Sequence, residues 1–319
     1  MVSFPAVLAY PHSNNLGDYI QSIAAKQWIL DSDILEIDRD QLHDYKGEKV
    51  KLILNGWFME FPNNWPPSNK IKPLFLSFHL NPTAKKGMLT PKGIAYFKKY
   101  QPIGCRDLYT EKCLKETGVK TYFSGCLTLG LKRSAFVAPQ AKRKGIVIIS
   151  PLERLLDEPQ SIQWNKPKTV FKGLIRLFKH PFKQAQYKRS MQRIHAFLEG
   201  QSRKISWHSQ LISTKEVSEK QRILAAEKQL QIIANAELVI TSRIHSALPA
   251  VAFETPVIFL SDGLEHPNQS SRLEGMESFF SIINSKELIK FSNELPKAKK
   301  AHLSLLKRFK KETELFLRD

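Results

Sequence analysis

Short apolar runs alternate with helix-patterned segments from one end of the chain to the other. Runs such as VLAY at 7–10 and KLIL at 51–54 have the length and composition of buried strands. This alternation predicts parallel sheets with helices on both faces. Predicted strands lie at 7–10, 34–37, 51–54, 74–78, near 103, at 121–123, 144–150, 204–209, 237–241 and 256–260. Predicted helices lie at 17–30, from Thr90-Pro91 to about 100, at 107–116, 216–235, from near Arg243, and at 294–317.

The strand and helix rhythm stops at 135–143 (AFVAPQAKR) and then restarts. A chain of 319 residues is long enough for two domains, each with its own core. We therefore predict an α/β protein with two Rossmann-like doubly wound domains, 1–138 and 139–319. The second domain is expected to carry a basic helical insertion at 160–200 and a long C-terminal helix at 294–317.

Net charge is the unusual bulk property of the chain. The formal charge is +19, and a field of that size attracts nucleic acid, anionic lipid or a phosphorylated substrate. Residues 160–204 contain eleven lysines or arginines and one acid, so more than half of the excess comes from one segment. No run approaches the roughly 18 apolar residues of a membrane span, and no signal peptide is recognisable. Three cysteines without a CxxC pair favour a reducing, cytoplasmic location.

The segment TSRIHSALPAVAFETP, 241–256, places polar residues where a predicted strand gives way to a helix. Ligands of open α/β sheets bind beyond the carboxyl ends of strands, and a helix start favours anions. Ser242 lies at this junction, Arg243 can bind a phosphate or carboxylate, and His245 can transfer a proton near neutral pH. The structural alternative is a Ser242 helix cap followed by a histidine that belongs to the core.

Two other strand ends carry similar residues. In SNNLGDYIQ, 13–21, Gly17 permits close approach to a ligand, while Asn15 and Asp18 can either bind it or stabilise the helix start. In GCRD, 104–107, Arg106 can reach an anion or pair with a nearby aspartate, either Asp18 or Asp107. Further polar residues at strand ends are Asn55-Gly56, His79, Ser124-Gly125 and His208. We expect these strand ends to face one interdomain cleft.

Several familiar motifs are missing from the sequence. It contains no GxxxxGK[ST] phosphate loop, no GxGxxG, no HExxH and no GxSxG elbow. Nothing in the sequence therefore requires a metal ion or a nucleotide cofactor, and we predict neither.

The order and spacing of these motifs resemble the polysaccharide pyruvyl transferase family. The resemblance rests on Asn15-Leu16-Gly17-Asp18, Arg106-Asp107, Arg243-Ile244-His245 and the following Pro256-Val257-Ile258, and it extends from about residue 5 to 280. It implies a glycosyltransferase-B-like arrangement of the two domains. It also implies phosphoenolpyruvate as donor and a sugar as acceptor, and we expect this sugar to be lipid-linked. The product is then a cyclic pyruvate ketal, with phosphate released.

The expected chemistry assigns a role to each candidate residue. Arg243, the helix N-terminus behind it and Arg106 are expected to bind the two anionic groups of phosphoenolpyruvate. His245 is our choice for the acid and Asp18 for the base, although these roles can be exchanged because sequence gives no distances. The remaining candidate substrate-binding residues are Ser242, Asn15, Gly17, His79 and His208.

The segment VFKGLIRLFKHPF, 170–182, has the pattern of a basic amphipathic helix that ends at Pro181. Such a helix suits an anionic membrane surface, where a lipid-linked acceptor would be found; alternatively, its apolar face packs on the second domain. Two other functions stay open. One is a nucleotide-sugar-dependent glycosyltransferase of the same fold. The other is a basic nucleic-acid-binding protein, although no aromatic residues interleave with the basic run as in an RNA-binding motif.

Overall fold

The computed structural model describes residues 3–30, 33–58, 61–156 and 167–318, and it gives the backbone alone for 167–180. Two parallel sheets form the framework, each built from strands that alternate with helices. The predicted α/β class is confirmed: both sheets are parallel, their strands alternate with helices, and a long helix, Leu303–Arg318, lies at the C-terminal end of the described residues.

The first sheet has the strand order β2-β1-β3-β4, and all of its pairs are parallel. Its strands are β1 (Phe4–Ala9), β2 (Leu35–Asp38), β3 (Val50–Leu54) and β4 (Ile71–Phe75). A parallel pair, β5 (Ile103–Cys105) and β6 (Thr121–Phe123), follows. The predicted strand 74–78 is interrupted at Ser77, whose φ is 70°, and Phe78 then joins β5 through a hydrogen bond from its N–H to the Gly104 carbonyl.

The second sheet has the order β11-β10-β9-β7-β8 and is also entirely parallel. Its strands are β7 (Ile146–Ile149), β8 (Ile205–His208), β9 (Leu238–Thr241), β10 (Val257–Leu260) and β11 (Ser281–Ile283). The three central strands read IVII, LVIT and VIFL, and every residue in them is buried. Continuous apolar strands of this kind belong to parallel sheets that are covered on both faces.

The helices alternate with the strands, and the one at Pro91–Lys99 begins at its predicted capping signal, Thr90-Pro91. They are α1 (Leu16–Lys26), α2 (Lys85–Met88), α3 (Pro91–Lys99), α4 (Leu108–Lys115), α5 (Pro167–Glu199), α6 (Glu219–Asn235), α7 (Ile244–Ala252), α8 (Pro267–Ser270) and α9 (Leu303–Arg318). Thr90 accepts a hydrogen bond from the Gly93 N–H at the start of α3, and Ser218 forms a capping box with Gln221 at the start of α6.

Two predicted helix limits are wrong. The C-terminal helix begins at Leu303 rather than at 294, because Pro296 has no N–H and disfavours helical geometry in the residue before it. The basic helix does not end at Pro181; α5 continues through it to Glu199. Its later turns bury Ile194, Phe197 and Leu198 against the second sheet, and this packing offsets the one backbone hydrogen bond that proline removes.

Backbone hydrogen bonds join the two units directly. The Leu16 N–H donates to the Gln210 carbonyl (2.9 Å), and the Ile212 N–H donates to the Asn14 carbonyl (2.8 Å). These bonds attach the start of α1 to the segment that follows β8. The C-terminal helix α9 then returns to the first sheet, where Phe309 is fully buried and its ring lies 6.1 Å from that of Trp28. Both contacts fix the relative position of the two units.

Candidate active site

A cleft of about 1300 Å³ lies between the carboxyl ends of the two sheets. Loops after β1, β2 and β3 line it from the first sheet, and loops after β7, β8 and β9 line it from the second. Asp18, Arg243 and Trp57 are among its lining residues. The position agrees with the general rule that ligands of open α/β sheets bind beyond the carboxyl ends of the strands.

A smaller pocket of about 60 Å³ adjoins this cleft. Ser242, His245 and Arg272 line the small pocket, whereas Asn15, Trp57, Arg154 and Arg243 line both cavities. The pocket therefore adjoins the cleft along these four residues. We refer to it as the inner pocket.

Arg243 occupies the position immediately before α7. The Thr241 hydroxyl accepts a hydrogen bond from the Arg243 N–H (2.9 Å), and the side chain forms an ion pair with Glu153. Ser242 does not cap the helix; its hydroxyl accepts a hydrogen bond from the Leu152 N–H (3.1 Å). The buried Nε of Arg243 has no hydrogen-bond partner among the described residues. Burial lowers the pKa of Arg243 to about 10, against the opposing effect of Asp18, so the side chain is a cation at neutral pH.

His245 lies in the first turn of α7, at a kink with φ −83° and ψ 15°. Its side chain is buried, and Nε2 has no hydrogen-bond partner within the described part of the chain. Burial is the main cause that places the pKa of His245 well below its usual value, and the nearby cations Arg106, Arg272 and Arg243 add to the effect. The imidazole is therefore neutral at pH 7 when no anion occupies the pocket.

Gly17 brings the start of α1 against this histidine. A Cβ at position 17 would lie 2.5 Å from Nε2 of Gln210 and 2.9 Å from Cβ of His245, so a larger residue does not fit. Asn15 caps α1 by accepting from the Gly17 N–H (3.1 Å) and also accepts from Nε2 of Gln210 (2.9 Å). Ser246 donates to the amide oxygen of the same glutamine. Gln210 therefore connects the start of α1, in the first unit, with α7, in the second.

Asp18 is buried at the edge of the cleft, and three donors hold its carboxylate in place, one of them Nε2 of Gln21, which donates to Oδ1 (3.4 Å). The Ser13 hydroxyl donates to Oδ2 (2.6 Å), and Nε1 of Trp57 donates to Oδ1 (3.2 Å). These bonds fix the direction of the carboxylate, which lines the cleft but not the inner pocket. Asp18 therefore lines the cleft, and His245 lines the inner pocket that adjoins it.

Arg106 and His79 lie beneath the site and line neither cavity. Nδ1 of His79 is 2.6 Å from Oδ2 of Asp107, which also caps α4 by accepting from the Thr110 N–H. Arg106 is fully buried, lies 3.6 Å from Asp107, and has three guanidinium nitrogens without a hydrogen-bond partner among the described residues. In this arrangement Arg106 acts on His245 through its charge and does not reach the cleft.

His208 is not brought together with these residues. It lines a separate shallow groove with Tyr187 and Trp207, and its Nε2 is 3.1 Å from the Ser206 hydroxyl. Burial lowers its pKa. The structure thus places Asn15, Asp18, Ser242, Arg243 and His245 around two adjoining cavities, with Gly17 packed against His245, Arg106 and His79 behind the cavities and His208 outside them.

The lining residues that sequence reasoning missed include four of the inner pocket: Arg272, Arg154, Gln210 and Trp57. Gln210 and Trp57 follow β8 and β3 closely, so the strand-end rule that found Arg243 would have found them too. Arg272 follows β10 at a distance of twelve residues (260 to 272), beyond the reach of that rule.

A protein-family model described as polysaccharide pyruvyl transferase matches residues 15–263, which is more than half of the chain. The chain belongs to the polysaccharide pyruvyl transferase family. The span matched by this transferase family includes Asn15, Gly17, Asp18, Arg243 and His245, and it ends before Arg272. Family membership favours a transferase in polysaccharide biosynthesis over a nucleic-acid-binding protein.

Solved structures similar to this pyruvyl transferase family member are distant relatives. A functionally uncharacterised protein of Klebsiella pneumoniae is 11% identical, with 88% of this chain and 93% of that chain covered and a TM-score of 0.45. UDP-GlcNAc 2-epimerase of Methanocaldococcus jannaschii is 12% identical (100% and 93% covered, TM-score 0.42), and the wall teichoic acid polymerase TagF is 10% identical (99% and 84%, 0.40). Likeness at this level carries no functional argument. A search of curated protein sequences gives no significant match.

The described residues also show whether the protein has a cluster of metal ligands or a helix that could span a membrane. Within 3–30, 33–58, 61–156 and 167–318, no three His, Cys, Asp or Glu side chains are close enough together to hold a metal ion. No helix in that part of this pyruvyl transferase family member has both the length and the apolar character needed to cross a bilayer.

The buried histidines make the stability of the protein depend on pH. Burial and Arg106 lower the pKa of His79 to about 4, and the pKa of His245 is also far below 6.5. Below pH 6.5 the unfolded chain binds protons that the folded protein does not, so the free energy of unfolding falls as the pH decreases. We expect a loss of about 2 kcal/mol for each of these histidines between pH 7 and pH 5.

Urea unfolding at both pH values measures this loss. His245→Gln keeps a polar side chain of similar size without the titration, so it should lose about 2 kcal/mol less than the wild type. Histidines common to both proteins cancel in the comparison. Equal losses in the two proteins would show that His245 is not kept neutral by the fold.

Proposed function

We propose that this protein transfers the pyruvyl group of phosphoenolpyruvate to two hydroxyls of a sugar acceptor and forms a cyclic ketal. The observation that carries the proposal is a pair of adjoining cavities: Arg243 and His245 line the inner pocket, and Arg243 and Asp18 line the cleft. Phosphoenolpyruvate carries a phosphate and a carboxylate, and a buried guanidinium is the side chain best suited to either group.

The proposed reaction balances as follows. The terminal methylene carbon of phosphoenolpyruvate gains a proton and becomes a methyl group, which leaves positive character on the central carbon. A first sugar hydroxyl adds to that carbon and loses its proton. The bond between the central carbon and the phosphate oxygen then breaks, and the second hydroxyl adds in place of phosphate. Of the two hydroxyl protons, one balances the proton gained by the methyl group and the other leaves with inorganic phosphate.

The cavities that His245 and Asp18 line indicate which of them donates a proton and which accepts one. His245 lies in the inner pocket with the cationic side chains, so it is the proton donor to the bound phosphoenolpyruvate. Asp18 lines the outer cleft, with its carboxylate directed by Ser13 and Trp57, so it is the base for the sugar hydroxyl. Binding of the anionic donor offsets the surrounding positive charge and raises the pKa of His245 towards the range that proton donation requires.

The wide cleft supports the acceptor side of the proposal. Its volume of about 1300 Å³ is over twenty times that of the inner pocket, which suits one or more sugar units outside a small donor site. A lipid-linked acceptor at the inner face of the cell membrane, and with it a cytoplasmic enzyme of capsule or exopolysaccharide synthesis, is part of this proposal. The side chains of 170–180 in the expected membrane-binding segment 170–182 lie outside the described residues.

A thermal-shift comparison tests the donor directly. We expect phosphoenolpyruvate to raise the melting temperature, because a ligand that binds only the native state adds about 2.7 kcal/mol at a hundred times its Kd. A uridine or guanosine diphosphate sugar at the same concentration should have no effect. Stabilisation by a nucleotide sugar, without any by phosphoenolpyruvate, would support the glycosyltransferase alternative instead.

A further inference from the structure

We infer that Arg272 is the second guanidinium of the donor site and that, with Arg243, it makes the inner pocket selective for a ligand with two anionic groups. This inference rests on the proposed function, because it assigns a partner to the second charge of phosphoenolpyruvate. Arg272 lies outside residues 15–263, the span that matches the family.

The position of Arg272 is the first argument. The side chain lines the inner pocket together with His245 and Arg243. Its guanidinium carbon lies 6.0 Å from the centre of the Trp57 ring, and Trp57 is itself fixed by its bond to Asp18. An aromatic face in that position attracts and orients the guanidinium without using any of its N–H donors. These donors are left for a ligand.

The lack of a counter-charge is the second argument. Among the described residues Arg272 has no hydrogen-bond or ion-pair partner, and its Nε is buried. Its electrostatic neighbours are three cations, Arg106, Arg154 and Arg243, and one carboxylate, Asp18, which already accepts bonds from Ser13 and Trp57. Burial, followed by the charge of Arg106, lowers the pKa of Arg272 to about 9. A buried cation without a partner is costly, so an anionic ligand stabilises this arrangement.

The third argument is that Arg243 alone is not sufficient to bind both anionic groups of phosphoenolpyruvate. Its side chain already forms an ion pair with Glu153, which occupies part of its donor set. Arg106 lies behind the pocket and does not line it. A phosphate and a carboxylate on one small molecule need two guanidinium groups for bidentate binding, and Arg272 is the described arginine that lines the inner pocket without lining the cleft. A ligand with a single anionic group leaves one of the two guanidinium groups unpaired.

Titration calorimetry of phosphoenolpyruvate with purified Arg272→Gln tests the inference. We expect the Kd to rise about 30-fold or more, since truncation of one partner of a buried charge pair costs that much or more. Arg272→Lys restores the charge without the planar fork, so its Kd should lie between those of the wild type and Arg272→Gln. The Kd values for inorganic phosphate alone and for pyruvate alone should differ less between the wild type and the variants than the Kd for phosphoenolpyruvate does. The melting temperature of ligand-free Arg272→Gln should equal or exceed that of the wild type, because an unpaired buried cation has been removed.

Arg308→Gln is the matched control. Arg308 is an exposed arginine of α9 that also packs on an aromatic ring, 4.4 Å from the centre of Tyr122, and its variant should bind phosphoenolpyruvate like the wild type. If the wild type binds phosphoenolpyruvate and Arg272→Gln binds it within threefold, the role of Arg272 is refuted and the proposed function stands. If the wild type does not bind phosphoenolpyruvate, both are refuted.

Discussion

His245→Ala should lower kcat for phosphate release from phosphoenolpyruvate by about 10²–10⁴-fold, the range over which a positioned acid or base contributes. KM for phosphoenolpyruvate should change far less, because Arg243 and Arg272 remain to bind the anion. The physical reason is the location of the imidazole: it lies in the inner pocket, with an Nε2 that has no hydrogen-bond partner in the described structure. A steady-state phosphate assay with phosphoenolpyruvate and a panel of oligosaccharide acceptors measures both constants.

A second histidine provides the control for this experiment. His208 is also partly buried but lines a different groove, so His208→Ala should keep kcat within a few-fold of the wild type. His245→Gln should be as inactive as His245→Ala, because glutamine cannot transfer a proton in this pH range. Full turnover by His245→Ala would remove this residue from the chemistry and leave Asp18 as the candidate acid.

Gly17→Ala should reduce both stability and activity, although it adds only one methyl group. That methyl would lie 2.5 Å from Nε2 of Gln210 and 2.9 Å from Cβ of His245, so α1 and α7 must move apart. Overpacking of this kind costs about 1–3 kcal/mol, and displacement of a catalytic group by about 1 Å can cost roughly 10²-fold in rate. Chemical denaturation and kcat/KM for phosphoenolpyruvate measure the two effects.

Gly200→Ala is the matched control, because a Cβ at position 200 meets only the Phe197 carbonyl oxygen, at 3.6 Å. It should leave stability and kcat/KM close to the wild-type values. A Gly17→Ala protein with wild-type stability and activity would mean that the contact between α1 and α7 does not determine where His245 lies.

The strand and helix order could be predicted because it depends on local patterns. A buried parallel strand is a short apolar run, and a helix start has a capping residue that can be read directly, as at Thr90 and Ser218. The same local logic placed Asn15, Asp18, Arg243 and His245 around two adjoining cavities, with Gly17 packed against His245, since carboxyl ends of parallel strands lie at the same edge of a sheet.

Depth and distant contacts could not be predicted in this way. Arg106 follows a strand just as Arg243 does, yet it lies fully buried behind the pocket, because depth depends on what the neighbouring loops cover. Arg272 reaches the pocket from a segment that carries no strand-end signal. The basic helix passes through Pro181 because tertiary packing further along outweighs a local helix-breaking signal.

The return of α9 to the first sheet has a consequence for the folding of this chain during translation. Phe309 and Phe316 cover apolar surface of the N-terminal half, and Lys51 donates a hydrogen bond to the Leu317 carbonyl (2.8 Å). The first sheet therefore has a complete covering layer only after residues 266 positions beyond Lys51 have been translated. A nascent chain that stalls before position 303 leaves this apolar face of the first sheet exposed. Chaperones and proteases recognise exposed apolar surface, so they can act on such a stalled chain.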